Sequence, residues 1–368
     1  MRTLKAALAL LIITLSFLSG QAQTRFDNLE FKQFSTPEGL PNSMVHQVYQ
    51  DRDGYIWIST FYGLFRYDGY EVRTYKSNLY TPGLLVNNNV ICVEEDYSHR
   101  LWIGTHEGLC VLDKQTGKMR KMKLEGISKH RLNEIHVTKD NKVYLGYIRG
   151  MACYNAELDT LELMTSKNCK GEVPEQINIQ TLLEDENGDL LIGTWQDGLF
   201  HYNIKENKFI HYPPLDESNS VLALFQDSKG ALWIGTSGSG LYKVNFSPDK
   251  KILSVEKAYK HDALNTLSLS SDYIYSIHED LQTHSLWLGT RNGVSIMDLT
   301  HEGKFINYRE SGSEHYLPVR EVNTVFRDKN GLMWIGTKGA GVFHVNTRTR
   351  PFEVFYPRGN GKSFTDII

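Results

Sequence analysis

The sequence lacks an excess of either charge, an apolar run of membrane length, and any sustained 3.6-residue period. Its 368 residues carry 40 Lys and Arg against 43 Asp and Glu, a net charge of −3. Phosphate-backbone binding leaves a basic footprint that is missing here, so nucleic acid is excluded as a partner. The one notable apolar stretch, Ala6 to Phe17, is shorter than the ~20 residues a membrane span needs. Four cysteines (Cys92, Cys110, Cys153 and Cys169) form no C-x-x-C pair, which argues against zinc. Three lie in strand-like runs such as NVICVEE and MACYN, where both a buried free thiol and a disulfide are open readings.

Catalytic signatures are missing as well. There is no G-x-S-x-G, no H-E-x-x-H and no spaced histidine cluster. GNGKS at 359–363 resembles the end of a phosphate-binding loop, but Tyr356 stands where that motif needs glycine, and no helix follows. DRDG (51–54), DENGD (185–189), DSKG (227–230) and DKNG (328–331) lack the further oxygens and distal Glu of a calcium loop. No cofactor and no metal is therefore expected. The acidic groups read as hairpin turns, with Asp bonding its own backbone and Gly taking positive φ.

What the chain does have is one phrase, repeated. It occurs as WISTFYGLFRYD from Trp57, WIGTHEGLCVLD from Trp102, YLGYIRGMACYN from Tyr144 and LIGTWQDGLFHYN from Leu191. It returns as WIGTSGSGLYKVN from Trp233, WLGTRNGVSIMD from Trp287 and WIGTKGAGVFHVN from Trp334. Successive starts are 45, 42, 47, 42, 54 and 47 residues apart. That period predicts an all-β, seven-bladed propeller of four-stranded antiparallel blades. In the phrase, the aromatic and aliphatic residues wedge between blades, the Gly allows close backbone approach, and the Thr hydroxyl ties down the next turn.

The first residues, MRTLKAALALLIITLSFLSGQAQ, read as a signal peptide. Arg2 and Lys5 precede the apolar core, and Gly20 and Ala22 occupy the small-residue positions before the cleavage point. The expected organisation is a signal peptide over 1–22, the propeller over 23–357, and the start of a continuation over 358–368. Export to the periplasm follows.

The pattern D-x-x-G-x-[LI]-W-I-G-T-x-x-G-L, with a GLPN lead-in at 39–42, resembles the two-component regulator propeller repeats. The resemblance covers residues 29–357 and implies the periplasmic sensor half of a hybrid two-component system. Such sensors detect polysaccharide breakdown products, are homodimeric in the parent protein, and pass a conformational signal to a histidine kinase that this chain does not contain. The implied ligand is an oligosaccharide.

In a propeller of this topology the second-to-third strand turns share one face with the blade-to-blade connections. The residues that vary there make that face the expected ligand site, namely Phe61, Tyr62, His106, Arg149, Trp195, Asp197, Arg291 and Lys338. Arg149, Arg291 and Lys338 suit an acidic or sulfated sugar. Trp195 has two readings, a flat face for a sugar ring or a side chain folded back to fill the gap left by Leu191. On this face the turns supply only Glu107 and Asp197 as acids, so the carboxylate pair of a glycosidase is not expected. A carbohydrate-active glycosidase or lyase, or a protein-binding scaffold, is the alternative. Finally, an open ring would leave two unpaired edges. Residues 29–35 are therefore expected to form the outer strand of the blade containing Trp334, bonding to 341–346 and displacing PFEVFYP (351–357).

Overall fold

The computed structural model describes residues 26, 29–34, 40, 44–77, 85–122, 131–215, 219–247, 250, 252–310 and 315–347. The expected signal peptide, PFEVFYP and the expected continuation lie outside them.

Seven antiparallel sheets follow one another along the chain, and no helix occurs among the described residues. In blade 1 the strands are Val45–Gln50, Ile56–Thr60, Gly63–Tyr67 and Val72–Tyr75, paired in that order from the axis outward. The inner strands of the other blades are Val90–Glu95, Leu132–Val137, Ile179–Glu184, Val221–Gln226, Ile274–Asp280 and Val322–Arg327. Blades 4 and 6 each gain a fifth, parallel strand, Lys170–Gly171 on Lys208–His211 and His315–Tyr316 on Phe305–Arg309. Both come from blade-to-blade connections and have no pattern that marks them in the sequence.

The second strands are buried along their length except for half-buried first residues in blades 2 and 7 (Arg100 and Leu332), because both of their faces meet a neighbouring blade. Trp57, Trp102, Trp233, Trp287 and Trp334 are all at most 3% exposed. Their indoles also hydrogen-bond. Trp102 Nε1 donates to Asp96 Oδ2 at 2.9 Å, and Trp334 Nε1 to Asp328 Oδ2 at 2.9 Å. The acidic turns thus do more than turn the chain, since their aspartates are partners of the buried tryptophans.

The glycine of the phrase is a socket. A Cβ on Gly336 would stand 2.7 Å from Val45 Cγ1 of blade 1, and one on Gly193 would stand 2.6 Å from Val221 Cγ1 of blade 5. The first residue of each of these inner strands therefore sits in the space its neighbour's missing side chain leaves. The threonine hydroxyl donates to the carbonyl closing the next turn in six blades, as with Thr105 to Gly108 at 2.8 Å and Thr337 to Gly341 at 2.8 Å.

The last blade takes its outer strand from the other end of the chain. Lys32 and Gln33 pair antiparallel with His344 and Phe343, and Phe34 N donates to Val342 O at 2.8 Å. Phe34 lies edge-on to both Trp334 and Tyr67, with centroids 5.4 and 4.7 Å apart, between blades 7 and 1. Phe31 meets Tyr308 of blade 6, whose hydroxyl bonds the Phe26 carbonyl.

All four cysteines are free thiols. Cys92 and Cys110 are buried, and Cys153 and Cys169 are half-buried.

Candidate functional site

Every inner strand breaks register at the same place. The break skips His46, Ile91, Asn133, Gln180, Leu222, Tyr275 and Asn323 in blades 1 to 7. A bulge residue has no ladder partner and re-aims its side chain. All seven of these line one central cavity of about 480 Å³. Seven blades thereby deliver one side chain each to a common point on the axis.

The same strands have a free edge toward the channel, and side chains from the preceding blade satisfy part of it. Gln47 Oε1 accepts from Val93 N at 2.7 Å, Glu94 Oε2 from Val137 N at 3.1 Å, and Ser276 Oγ from Val325 N at 3.0 Å. Across the seam, Asn323 Nδ2 donates to Val45 O at 2.9 Å.

The rim is built with equal regularity. The first residue of each second-to-third turn donates its N–H to the carbonyl two positions before the bulge. Phe61 donates to Met44, His106 to Asn89, Ile148 to Arg131, Trp195 to Asn178, Ser237 to Ser220, Arg291 to Tyr273 and Lys338 to Glu321, at 2.8–3.3 Å. Five variable turn residues expected from the sequence (Phe61, His106, Trp195, Arg291 and Lys338) thus occupy equivalent rim positions.

Their side chains separate. Phe61, His106 and Lys338 line the cavity, whereas Tyr62, Arg149, Trp195, Asp197 and Arg291 do not. Tyr62 stands edge-on to Phe61 at 5.3 Å, and the two are 54% and 48% exposed. Arg149 is exposed, and its carbonyl accepts from Gln176 N. The Asp197 carbonyl faces His211 Nε2 at 2.7 Å. Arg291 lies over the Tyr273 ring at 4.9 Å. Lys338 already pairs with Glu321 at 2.8 Å. Trp195 is 39% exposed and belongs to no core cluster, while Leu191 is buried against Leu199 and Val221. The gap left in the strand is therefore closed by aliphatic packing, and the indole stays at the surface.

Three cavity residues escape a reading based on turns. Arg131 lines the cavity and has no ion-pair partner among the described residues; burial lowers its pKa. Glu134 and Glu321 also line it, so carboxylates other than the turn acids Glu107 and Asp197 reach the axis. Burial, and then the neighbouring Glu94 charge, push the Glu134 pKa up to about 8. His46 Nε2 donates a 2.9 Å bond to Asn89 Oδ1, and burial takes its pKa down to about 4. At neutral pH the pocket therefore presents the Glu134 carboxyl in its protonated form, the neutral His46 imidazole, several amides, the Arg131 guanidinium and the Glu321–Lys338 ion pair. The bulge itself is the signal that would find these residues, and it carries no residue type.

A larger groove of about 850 Å³ lies over the outer parts of blades 2 to 4. Several of its polar groups are already engaged with one another, for example Asn155 Nδ2 with Glu162 Oε1 at 2.6 Å and Tyr202 Oη with Asn207 Oδ1 at 2.9 Å. The central cavity has the convergent polar groups of a binding site.

Comparison with known proteins agrees with the repeat pattern. The two component regulator propeller model matches residues 39–62, 84–107, 216–238 and 316–339. The crystal structure of what is described as the extracellular domain of the hybrid two component system BT3049 from B. thetaiotaomicron superimposes with a TM-score of 0.70. It is 24% identical and covers 87% of this chain and 42% of that one. Histidine kinase P4 of Formosa agariphila is 34% identical over 67 residues, 18% of this chain and 5% of the kinase. Virginiamycin B lyase from Staphylococcus aureus shares the fold with a TM-score of 0.65 at 10% identity, covering 87% of this chain and 99% of the lyase. The chain thus spans less than half the length of the sensor structure it resembles. No helix among the described residues is long and apolar enough to cross a membrane.

Proposed function

We propose that this chain, built of two-component regulator propeller repeats, is an exported ligand-sensing propeller that binds an acidic oligosaccharide in its central cavity. A kinase outside this chain would receive the signal. The observation that carries the reading is the cavity itself, with one bulge residue from each of seven blades, Arg131 beside them with no ion-pair partner among the described residues, and exposed aromatics on its rim. Amides and hydroxyls at fixed points suit sugar hydroxyls, a guanidinium suits a carboxylate or sulfate, and Phe61 and Trp195 offer flat apolar faces. A ligand touching all seven blades would be sensitive to small changes in their packing, as a sensor requires.

Isothermal calorimetry against neutral, uronic-acid and sulfated oligosaccharides tests this. The expected result is binding of an acidic member that Arg131→Ala abolishes. Binding of none, or equal binding by Arg131→Ala, would overturn it.

One observation favours a second reading. Glu134 keeps its proton near neutral pH, as a general acid must. A glycosidase or lyase would cleave the bound sugar, and release of reducing ends or unsaturated products in the same panel separates the two readings.

A further inference from the structure

Blade 4 breaks the partnership between turn aspartate and strand tryptophan. In blades 1, 2, 5 and 7 the second carboxylate oxygen of the turn aspartate takes an indole N–H. In blade 4 the strand residue is Leu191, and Asp185 Oδ2 has no indole to meet. Directly across the ladder from Leu191 stands His201. It is 2% exposed, and neither of its ring nitrogens has a hydrogen-bond partner among the described residues. Its Nε2 points between two carboxylates, 3.5 Å from Asp189 Oδ2 and 3.8 Å from Asp185 Oδ2.

We infer that Asp185, Asp189 and His201 form a binding site for a divalent transition ion of the zinc class, held inside blade 4. One ligand atom from each of the three lies within 4.8 Å of the others. Zinc–nitrogen and zinc–oxygen bonds of ~2.0–2.2 Å in a tetrahedron place neighbouring ligand atoms about 3.3–3.6 Å apart, close to the 3.5 and 3.8 Å that separate His201 Nε2 from the two carboxylates. An imidazole and two carboxylates suit zinc, whereas calcium asks for six to eight oxygens. A buried imidazole with two orphaned nitrogens is costly unless something fills the space it faces.

The surrounding groups support the arrangement. Asn203 Nδ2 donates to Asp189 Oδ2 at 3.0 Å and Ile204 N to Asp189 Oδ1 at 3.1 Å, while the backbone N–H groups of Asn187 and Asp189 hold Asp185 Oδ1. These bonds fix both carboxylates before any ion arrives. Lys250, in the loop between the third and outer strands of blade 5, reaches in and puts its Nζ 2.5 Å from Asp185 Oδ2. Its ammonium supplies the positive charge the site needs without an ion. Lys250 and Asp185 also border a cleft of about 330 Å³, which gives the ion a way in and the lysine a way out. Ion and lysine therefore compete for one oxygen.

The test is titration of the chelator-treated full chain with Zn²⁺ against a chromophoric chelator, with Co²⁺ absorption reporting the coordination geometry. The inference expects one equivalent bound with a tetrahedral cobalt spectrum, loss of that equivalent in His201→Leu, and about tenfold tighter binding in Lys250→Met. Absence of binding, or a Zn²⁺ affinity unchanged in His201→Leu, would overturn it. Should His201→Leu fail to fold, Lys250→Met decides alone, and unchanged affinity there rejects the site.

Discussion

Asp227 Oδ2 accepts the indole N–H of Trp233 at 2.9 Å, deep between two blades. Asp51 and Trp57 repeat the bond at 2.8 Å. The turn and the strand are thus one unit: the aspartate that closes the hairpin also orients the large side chain that fills the space between blades. Its other oxygen holds the turn, taking the N–H of Lys229 at 3.0 Å and of Ala231 at 2.9 Å.

Trp233→Phe should therefore cost more than a change of shape. It keeps most of the apolar contact but leaves a buried carboxylate oxygen without its donor, a loss of ~1–3 kcal/mol. Trp102→Ala, Trp233→Ala and Trp334→Ala should each cost ~3–5 kcal/mol through the cavity they open. Urea denaturation of the set checks both values, and equal stability of Trp233→Phe and wild type would contradict the role given to the bond.

Lys114 joins blades 1 and 2. Its Nζ lies 2.8 Å from Asp51, 2.7 Å from Asp53 and 2.9 Å from Glu95, and the side chains of Asp51 and Glu95 are fully buried. Lys114→Met should destabilise the protein by ~3–5 kcal/mol, since it strands two buried carboxylates. Adding Glu95→Gln should recover part of that loss in a double-mutant cycle.

Rim residues should separate binding from stability. Phe61→Ala, Trp195→Ala, Arg149→Ala and Arg291→Ala all act at exposed positions, so melting temperatures should stay within a degree or two of wild type. Those that touch the ligand should weaken oligosaccharide binding by about tenfold, the effect of ~1.4 kcal/mol. Calorimetry against the best-bound glycan measures it, and wild-type affinity in all four would confine the site to the cavity floor.

Stability should fall as pH rises from about 6.5 to 8; at lower pH His46 and His278, which burial holds down to about 4, act in the opposite direction. Burial raises the Glu94 pKa to about 7 and the Glu134 pKa to about 8, both above the ordinary carboxylate value. The folded protein therefore keeps protons that the unfolded chain has already released in that window, and it loses their contribution as they dissociate. His136, whose pKa is also raised, works in the same direction above its ordinary value. Urea midpoints at pH 6.5 and pH 8.5 give the slope. Glu134→Gln should flatten it, and an unchanged slope would show that the carboxyl does not titrate as described.

The fold was legible because its packing device is also its repeat. Trp-Ile-Gly-Thr recurs because each blade needs the same wedge, socket and turn lock, and the threonine serves that purpose in six of the seven blades, blade 3 having Tyr147 in its place. The pairing of aspartate and tryptophan was legible in principle from their constant spacing of six residues. The cavity floor was not. His46, Leu222 and Tyr275 share a backbone bulge and no chemistry, so no pattern of residue types marks them. Arg131 was hidden because it sits at the start of an inner strand, after a connection with no repeat character. His201 could have been suspected only from what blade 4 lacks, the tryptophan replaced by Leu191.

The pairing of Lys32 with His344 also sets a timetable. The earliest of the described strands can find its partner only after the seventh blade has been synthesised, so it waits unpaired while the chain between is made. The entropic cost of joining ends so distant grows only with the logarithm of the chain between them, which a short strand and the Phe34 contacts can offset. The delay is kinetic. A chain whose last step is long-range folds slowly and shows its edges to other chains meanwhile. The seam between the last and first blades is consequently both the final place to order and the first place from which the ring would come undone.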